Sequence, residues 1–145
     1  MPGETPLFHS ILTPALALVI WSLIMMVWLY ATRIPAMQKA GIDPAKATHA
    51  AALDPLPAQV RWVADNYNHL MEQPTIFYAL IFYTYLAGQQ DGWNIIIAWA
   101  YVALRVVHSL VQATVNLVLL RFSIFMVSSV VLMVLAGRDA IALFQ

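Results

Sequence analysis

An uncharged apolar run near the start of the chain sets the strongest limit on how the chain can fold. The stretch ILTPALALVIWSLIMMVWLY, residues 11–30, contains no charged side chain. At about 1.5 Å of rise per residue it makes a helix about 30 Å long, which matches the hydrocarbon core of a bilayer. Because a backbone in lipid must satisfy its own hydrogen bonds, the run predicts a transmembrane α-helix.

The composition extends this prediction to the rest of the chain. Hydrophobic residues make up 62% of the 145 residues and charged residues 10%, against roughly 45–50% and about 25% in soluble domains. Seven basic and seven acidic side chains cancel, which argues against nucleic acid as a partner. The absence of cysteine excludes disulfides, thiolate metal sites and a cysteine nucleophile. The segment MPGETPLFHS lacks the features of a signal peptide, so we expect the first apolar run to remain as an anchor.

Four apolar segments predict an all-α membrane protein, a four-transmembrane-helix bundle in a single domain that covers residues 1–145. The predicted helices cover about residues 8–31, 56–87, 93–120 and 122–144. The polar loop between the first two contains four of the seven basic residues, Arg33, Lys39, Lys46 and Arg61. The positive-inside rule therefore predicts that this loop is cytoplasmic.

The third apolar segment contains a stripe of polar residues, Arg105, His108, Gln112 and Asn116. Their helical spacing of three, four and four residues predicts that they share one face, which points into the protein. One interpretation is structural. A charge in the bilayer costs at least ~2.5–3.5 kcal/mol unless it is paired, and Glu72 on the second helix is the natural counter-ion for Arg105. Amide side chains would add interhelical hydrogen bonds.

The other interpretation is a ligand site. Arg33 and Arg121 lie at the cytoplasmic boundary, with His108 and amide side chains deeper in the membrane. Arginine binds carboxylates through two hydrogen bonds, and a cation beside a thiol stabilises its thiolate. The pattern therefore favours a small anionic ligand. The four histidines are scattered along the chain, so no metal site is predicted. Pro74 predicts a kink near the start of the second helix.

Two blocks, DNYNHLMEQPTIFY at 65–78 and RVVHSLVQATVNLVLLRF at 105–122, resemble the MAPEG family, the membrane-associated proteins in eicosanoid and glutathione metabolism. The resemblance implies a homotrimer in membrane lipid, with glutathione as co-substrate bound between subunits at the cytoplasmic end. It also implies an integral membrane transferase or peroxidase, in a bacterial inner membrane, whose glutathione thiolate attacks a lipophilic electrophile. The alternative is a non-catalytic MAPEG-fold protein that binds a lipid or serves as a structural module.

The resemblance also implies roles for particular residues. Arg121 would be the catalytic residue, which stabilises the glutathione thiolate. The residues implied to bind glutathione are Arg33, Asn68, His69, Glu72, Arg105, His108 and Gln112.

The chain departs from the family pattern at two of these positions. In the family register His69 rather than Asn68 takes the place of an asparagine, and Gln112 stands where the enzymes usually have tyrosine. A further expectation concerns Arg121. On one straight helix Arg105 and Arg121 would lie about 160° apart, so we expect Arg121 to act at the polar stripe of a neighbouring subunit.

Overall fold

The computed structural model describes residues 9–144, and the described residues form helices with no β-strand. The helices are α1 (Leu12–Lys39), α2 (Ala58–Leu70), α3 (Gln73–Leu86), α4 (Gly92–Thr114) and α5 (Val118–Ala142). Two short 3₁₀ turns, Pro44–Lys46 and Ala50–Leu53, lie between α1 and α2. The predicted all-α membrane fold is confirmed. The predicted first residue of the first helix, at position 8, lies outside the described residues.

Three of the described helices, α1, α4 and α5, are long and apolar enough to cross a membrane. The second predicted helix is divided into α2 and α3, which follow one another along the bundle. The start of this pair lies beside the end of α4, where Asn66 contacts Ser109, and its end lies beside the start of α4 and the end of α5. Among the described residues, the bundle is therefore built from α1, the α2–α3 pair, α4 and α5.

Helix α1 continues to Lys39, eight residues beyond its predicted end. The prediction ended the helix where hydrophobicity falls, but alanine, methionine, glutamine and lysine in ATRIPAMQK are good helix formers in water as well. The helix ends where Gly41 adopts a positive φ of 66°. There the amide of Ile42 donates to the carbonyl of Met37, a typical left-handed C-terminal cap.

The break between α2 and α3 confirms the predicted effect of Pro74. A proline ring inside a helix collides with the carbonyl four residues earlier and has no N–H to donate. Four residues before Pro74 is Leu70, the last residue of α2. Glu72 leaves helical geometry, with φ −91° and ψ −99°, and α3 restarts at Gln73 with Pro74 in its first turn. Proline is well tolerated there.

A positive-φ asparagine ends α4 six residues earlier than predicted. Asn116 has φ 47°, and its amide donates to the carbonyl of Val111 at 2.8 Å. Asparagine adopts this left-handed conformation more readily than most residues. Helix α4 therefore ends at Thr114, and α5 begins at Val118 rather than at Phe122. Arg121 consequently lies in the first turns of α5 and not at the end of the third helix.

A polar network joins three helices at the end of the bundle far from the polar loop. The buried carboxylate of Asp139 on α5 accepts hydrogen bonds from Thr84 Oγ1 on α3 (2.6 Å) and Asn94 Nδ2 on α4 (3.3 Å). Beside it, Arg138 donates to Asn94 Oδ1 and to Asp91 Oδ2, both at 2.6 Å. Because buried polar groups are stable only when they are hydrogen-bonded, this network fixes α5 on α4.

The network predicts that Asp139→Leu destabilises the fold. The substitution removes the acceptor for two buried donors, which costs about 1–3 kcal/mol. We expect a lower midpoint of thermal unfolding in detergent. Asp43→Leu is the control, since Asp43 lies in an exposed turn of the loop, where its side chain accepts a hydrogen bond from the amide of Ala45. Equal midpoints for the two variants would contradict a stabilising role for the network.

Candidate functional site

The broken helix gives Arg105 its hydrogen-bond acceptor. In a continuous helix the carbonyl of His69 would accept from the amide of residue 73. The break caused by Pro74 leaves it with only a long contact, 3.4 Å, from the amide of Glu72. Nη2 of Arg105 donates to this carbonyl at 3.1 Å. The most buried cation in the bundle is thus held by a main-chain oxygen.

The predicted Arg105–Glu72 ion pair is therefore wrong. Arg105 is fully buried, whereas the side chain of Glu72 is 67% exposed and lies 3.6 Å from Nε2 of His69. Nε and Nη1 of Arg105 have no hydrogen-bond partner among the described residues. The kink at Pro74 turns Glu72 outward, and the predicted ion pair did not include this change in the direction of the side chain. Arg105 is therefore a buried cation whose Nε–H and Nη1–H donors are unpaired among the described residues.

A cleft of about 520 Å³ opens between α2, the end of α4 and the start of α5. Its volume is in the range of small-molecule sites, about 300–1,000 Å³. Its polar lining comes from α2, α4, the helix break and Arg121 on α5, and its apolar lining comes from α5. The lining residues are Asp65, Asn68, His69, Glu72, His108, Gln112, Val118, Arg121, Phe122 and Phe125. We call this the membrane cleft.

A second cleft of about 380 Å³ lies beside the first, under the polar loop. It is lined mainly by charged and polar residues from the end of α1, the loop and the start of α2. Its charged and amide lining residues are Arg33, Asp54, Arg61, Asp65, Asn68, Asn116 and Arg121. We call this the loop cleft. Asp65, Asn68 and Arg121 line both clefts, so the two meet at these three side chains.

Arg121 is held at this junction by the asparagine that ends α4. Its Nη1 donates to Asn116 Oδ1 at 2.7 Å. Because a guanidinium has five N–H donors, most of them are left for other partners. The expected position of Arg121, opposite Arg105 on one helix, is wrong because α4 ends at Thr114. The new helix brings Arg121 into the same cleft as His108 and Gln112 within a single chain.

The polar stripe on α4 is confirmed for three of its four members. Arg105, His108 and Gln112 are 0%, 2% and 6% exposed, and Ser109 beside them accepts a 2.7 Å hydrogen bond from buried Asn66. Asn116 does not belong to the stripe because it follows the helix. The stripe therefore faces α2 and the start of α5.

The two departures from the family pattern touch each other. Nδ1 of His69 lies 3.3 Å from Oε1 of Gln112, across the interface between α2 and α4. Asn68 and His69 both line the membrane cleft. Either side chain can therefore face a ligand in the cleft, whichever of the two corresponds to the family's asparagine. Both are available beside Glu72.

Sequence reasoning missed Phe125, which forms the apolar floor of the membrane cleft. Its ring stacks on His69 at 5.2 Å between centroids and lies 5.6 Å from Cζ of Arg105. Phe125 follows Arg121 by four residues, so on one helix the two share a face. That signal was in the sequence, but the predicted start of the fourth helix at Phe122 separated them. Gln73 was also missed; it accepts from Tyr101 and donates to Ser129.

The structure brings seven of the eight predicted site residues to the lining of the two clefts. The seven are Arg33, Asn68, His69, Glu72, His108, Gln112 and Arg121. Arg105 lies behind the lining, under Phe125. Across residues 9–144, no three His, Asp or Glu side chains are grouped as a metal site would require. The charged side chains of the two clefts suit a ligand with both acidic and basic groups. The apolar wall of the membrane cleft adjoins the guanidinium of Arg121.

The arrangement agrees with a comparison with protein families, in which the model of the MAPEG family matches residues 11–141. The chain belongs to the MAPEG family. Comparisons with curated proteins and with solved structures gave no match. MAPEG membership, together with the apolar helices, makes this an integral membrane protein related to those of eicosanoid and glutathione metabolism. Both clefts lie within the matched range.

The geometry of Glu72 predicts that Glu72→Gln leaves stability unchanged, within about 0.5 kcal/mol. The reason is that its carboxylate is exposed and does not pair with Arg105. Thermal unfolding in detergent measures this. Asn66→Ala is the positive control, because it removes a buried hydrogen bond to Ser109 and should destabilise by about 1–3 kcal/mol. A large loss of stability with Glu72→Gln would show that Glu72 pairs with Arg105 after all.

Proposed function

We propose that this MAPEG protein is a glutathione-dependent transferase or peroxidase, which activates the glutathione thiol for attack on a lipophilic electrophile. The observation that carries the proposal is the position of Arg121, where a polar cleft and a partly apolar cleft meet. A reaction between the thiolate of a charged molecule and an apolar electrophile needs a cation where the polar and the apolar surfaces meet. The proposed location is a bacterial inner membrane, with the polar loop in the cytoplasm.

The charges of the two clefts suit glutathione, which has two carboxylates, an ammonium group and a thiol. Arg33, Arg61 and Arg121 offer hydrogen bonds to carboxylates, and Nε of Arg33 is buried without a partner among the described residues. Asp65 and Glu72 offer acceptors for the ammonium group. Asn68 can bond the peptide backbone of the ligand from either cleft. His108 and Gln112 line the deeper part of the membrane cleft.

The proposed mechanism is stabilisation of a thiolate by a fixed cation. The S–H bond of glutathione breaks, its electron pair stays on sulfur while the proton passes to an acceptor in the cleft, and the guanidinium of Arg121 stabilises the negative charge. The electrophile enters from the lipid along Val118, Phe122 and Phe125. The thiolate forms a bond to its electrophilic atom as the bond to the leaving group breaks, and the leaving group departs with the bonding electrons. No covalent intermediate with the protein is expected. Asn116 keeps the guanidinium in place.

Arg121→Ala tests this mechanism. We expect the ultraviolet absorbance of the glutathione thiolate, measured on purified protein at neutral pH, to fall by about tenfold or more. This corresponds to the loss of roughly 1.4 kcal/mol or more of stabilisation of the anion. Arg121→Lys should keep part of the signal, because it keeps the charge but not the planar donor set.

Lys46→Ala is the matched control for charge, since Lys46 lies in the loop and lines neither cleft. Its thiolate signal should equal that of the wild type. If the wild type itself binds glutathione without forming a thiolate, or does not bind it, the catalytic proposal fails.

The exposed polar face of α2 supports a homotrimer. Asp65, Asn68 and Glu72 are exposed in the single chain, and charges that face lipid cost several kcal/mol. Further copies of the chain would cover this face and close the membrane cleft from the side. We expect native mass spectrometry in detergent to give three chains per complex. A stable monomer that still forms the thiolate would contradict a site shared between subunits.

Lipid binding without catalysis is a second candidate function, favoured by a groove of about 430 Å³ between α1 and α4. Its lining is almost wholly apolar, which suits an acyl chain. The lining residues are Ala17, Ile20, Trp21, Ile24, Trp99, Val102, Ala103, Val106 and Val107. The thiolate measurement separates the two functions. A lipid-binding module would retain lipid on purification and show no thiolate.

A further inference from the structure

His69 shares the membrane cleft with Arg121 and has one neighbour for each ring nitrogen. Nδ1 lies 3.3 Å from Oε1 of Gln112, and Nε2 lies 3.6 Å from a carboxylate oxygen of Glu72. The flat side of the ring is stacked on Phe125, at 5.2 Å and an interplanar angle of 24°. The side chain of His69 is 25% exposed. The ring is therefore held on two edges and one face and remains accessible from the cleft.

The contact with Gln112 determines where the proton of the neutral ring lies. An amide oxygen has no hydrogen and can only accept, so Nδ1 must carry the proton and donate it. In a neutral imidazole the other nitrogen then has a free lone pair. That nitrogen, Nε2, is the one beside Glu72. His69 therefore presents a base, and not a donor, on the side of the carboxylate.

Arg121 alone does not account for the removal of the proton from the thiol. A guanidinium stabilises the thiolate after it forms, but arginine remains protonated in proteins and cannot accept the thiol proton. The acceptor must be water or another side chain in the cleft. Among the groups that line the membrane cleft, the lone pair of His69 Nε2 is held in place by Gln112, and an ordinary imidazole titrates near 6.5.

We propose that His69 is the general base that removes the thiol proton of glutathione, and that Gln112 is a positioning residue which fixes its tautomer. The proposal rests on the proposed function and adds the fate of the proton. The S–H bond breaks, the electron pair stays on sulfur beside Arg121, and the proton binds Nε2 of His69. The resulting imidazolium donates to Glu72, whose carboxylate lines the cleft and passes the proton to water there.

The charges around His69 favour this passage of the proton. Arg105 on α4 and Arg121 on α5 place two positive charges near the ring, and the ring of His108 on α4 lies 5.0 Å from it between centroids. The carboxylate of Glu72 lies beside Nε2, and Asp65 lines the same cleft one helical turn earlier. With Nδ1–H donated to Gln112, the neutral ring offers the lone pair of Nε2 to the thiol. After proton transfer the negative thiolate offsets the cations, and Glu72 stabilises the imidazolium while it loses the proton.

The experiment measures thiolate formation by rapid mixing of glutathione with the full-length protein in detergent. The variant is His69→Asn, and the control is His49→Asn, an exposed loop histidine outside both clefts. We expect His69→Asn to slow the appearance of the thiolate at neutral pH by about a hundredfold, the lower end of what general-base catalysis contributes. Its final amplitude should be unchanged because Arg121 remains. Added imidazole should restore the rate.

The pH profile gives a second readout. Protonation of His69 removes its lone pair, so the wild-type rate of thiolate formation should fall as the pH is lowered and the imidazole becomes protonated. The His69→Asn rate should instead rise steadily with hydroxide concentration. His49→Asn should keep the wild-type profile.

Other outcomes overturn either the inference or the proposed function. An unchanged rate and pH profile in His69→Asn would overturn the general base and leave the proposed function intact. A loss of amplitude without rescue by imidazole would overturn it too, because His69 would then bind the ligand and not move the proton. Wild-type protein without a thiolate would overturn both proposals together.

Gln112 provides a test that keeps His69 in place. Gln112→Leu removes the acceptor for Nδ1–H at similar volume and should slow thiolate formation with no loss of amplitude. Gln112→Glu restores an oxygen acceptor and should restore the rate. Equal rates for Gln112→Leu and Gln112→Glu would contradict the positioning role, even if the histidine variant failed to fold.

Discussion

The hydrogen bond from Arg105 to the carbonyl of His69 is the contact on which the polar end of the bundle depends. It joins α4 to α2 inside an apolar chain, and it exists because Pro74 interrupts the helix. A buried guanidinium costs free energy unless it is bonded, so α4 cannot rotate or slide without losing this acceptor. The polar stripe of α4 therefore faces the membrane cleft in one register.

The remaining contacts at this end follow from that register. Ser109 meets Asn66 one turn away from Arg105, and Gln112 meets His69 at the next turn. Phe125 closes the group from α5, with its ring on His69 and over the buried cation. Arg105, Ser109 and Gln112 of α4 thus each have a partner on α2. The cleft is formed by contacts between helices, and its shape depends on where each helix begins and ends.

The far end of the bundle is built on a different principle. Asp139 accepts hydrogen bonds from both Thr84 and Asn94, and the amide oxygen of Asn94 in turn accepts from Arg138. At the polar-loop end, buried nitrogens of Arg33 and Arg105 have no partner among the described residues. A closed network stabilises, whereas unpaired buried donors cost free energy and point to a ligand. The contrast supports the proposed site at the polar-loop end.

The sequence by itself determined the membrane fold, the family, the polar stripe of α4 and seven of the residues that line the clefts. These depend on hydrophobicity, helical period and motif, which are local properties of the chain. Only the tertiary structure decided what Arg105 bonds to, where Arg121 lies and that His69 meets Gln112. Those contacts depend on two backbone events, the break at Pro74 and the left-handed turn at Asn116. Each event changes the direction in which all later side chains point. The helical periodicity of the hydrophobic residues does not reveal such a change.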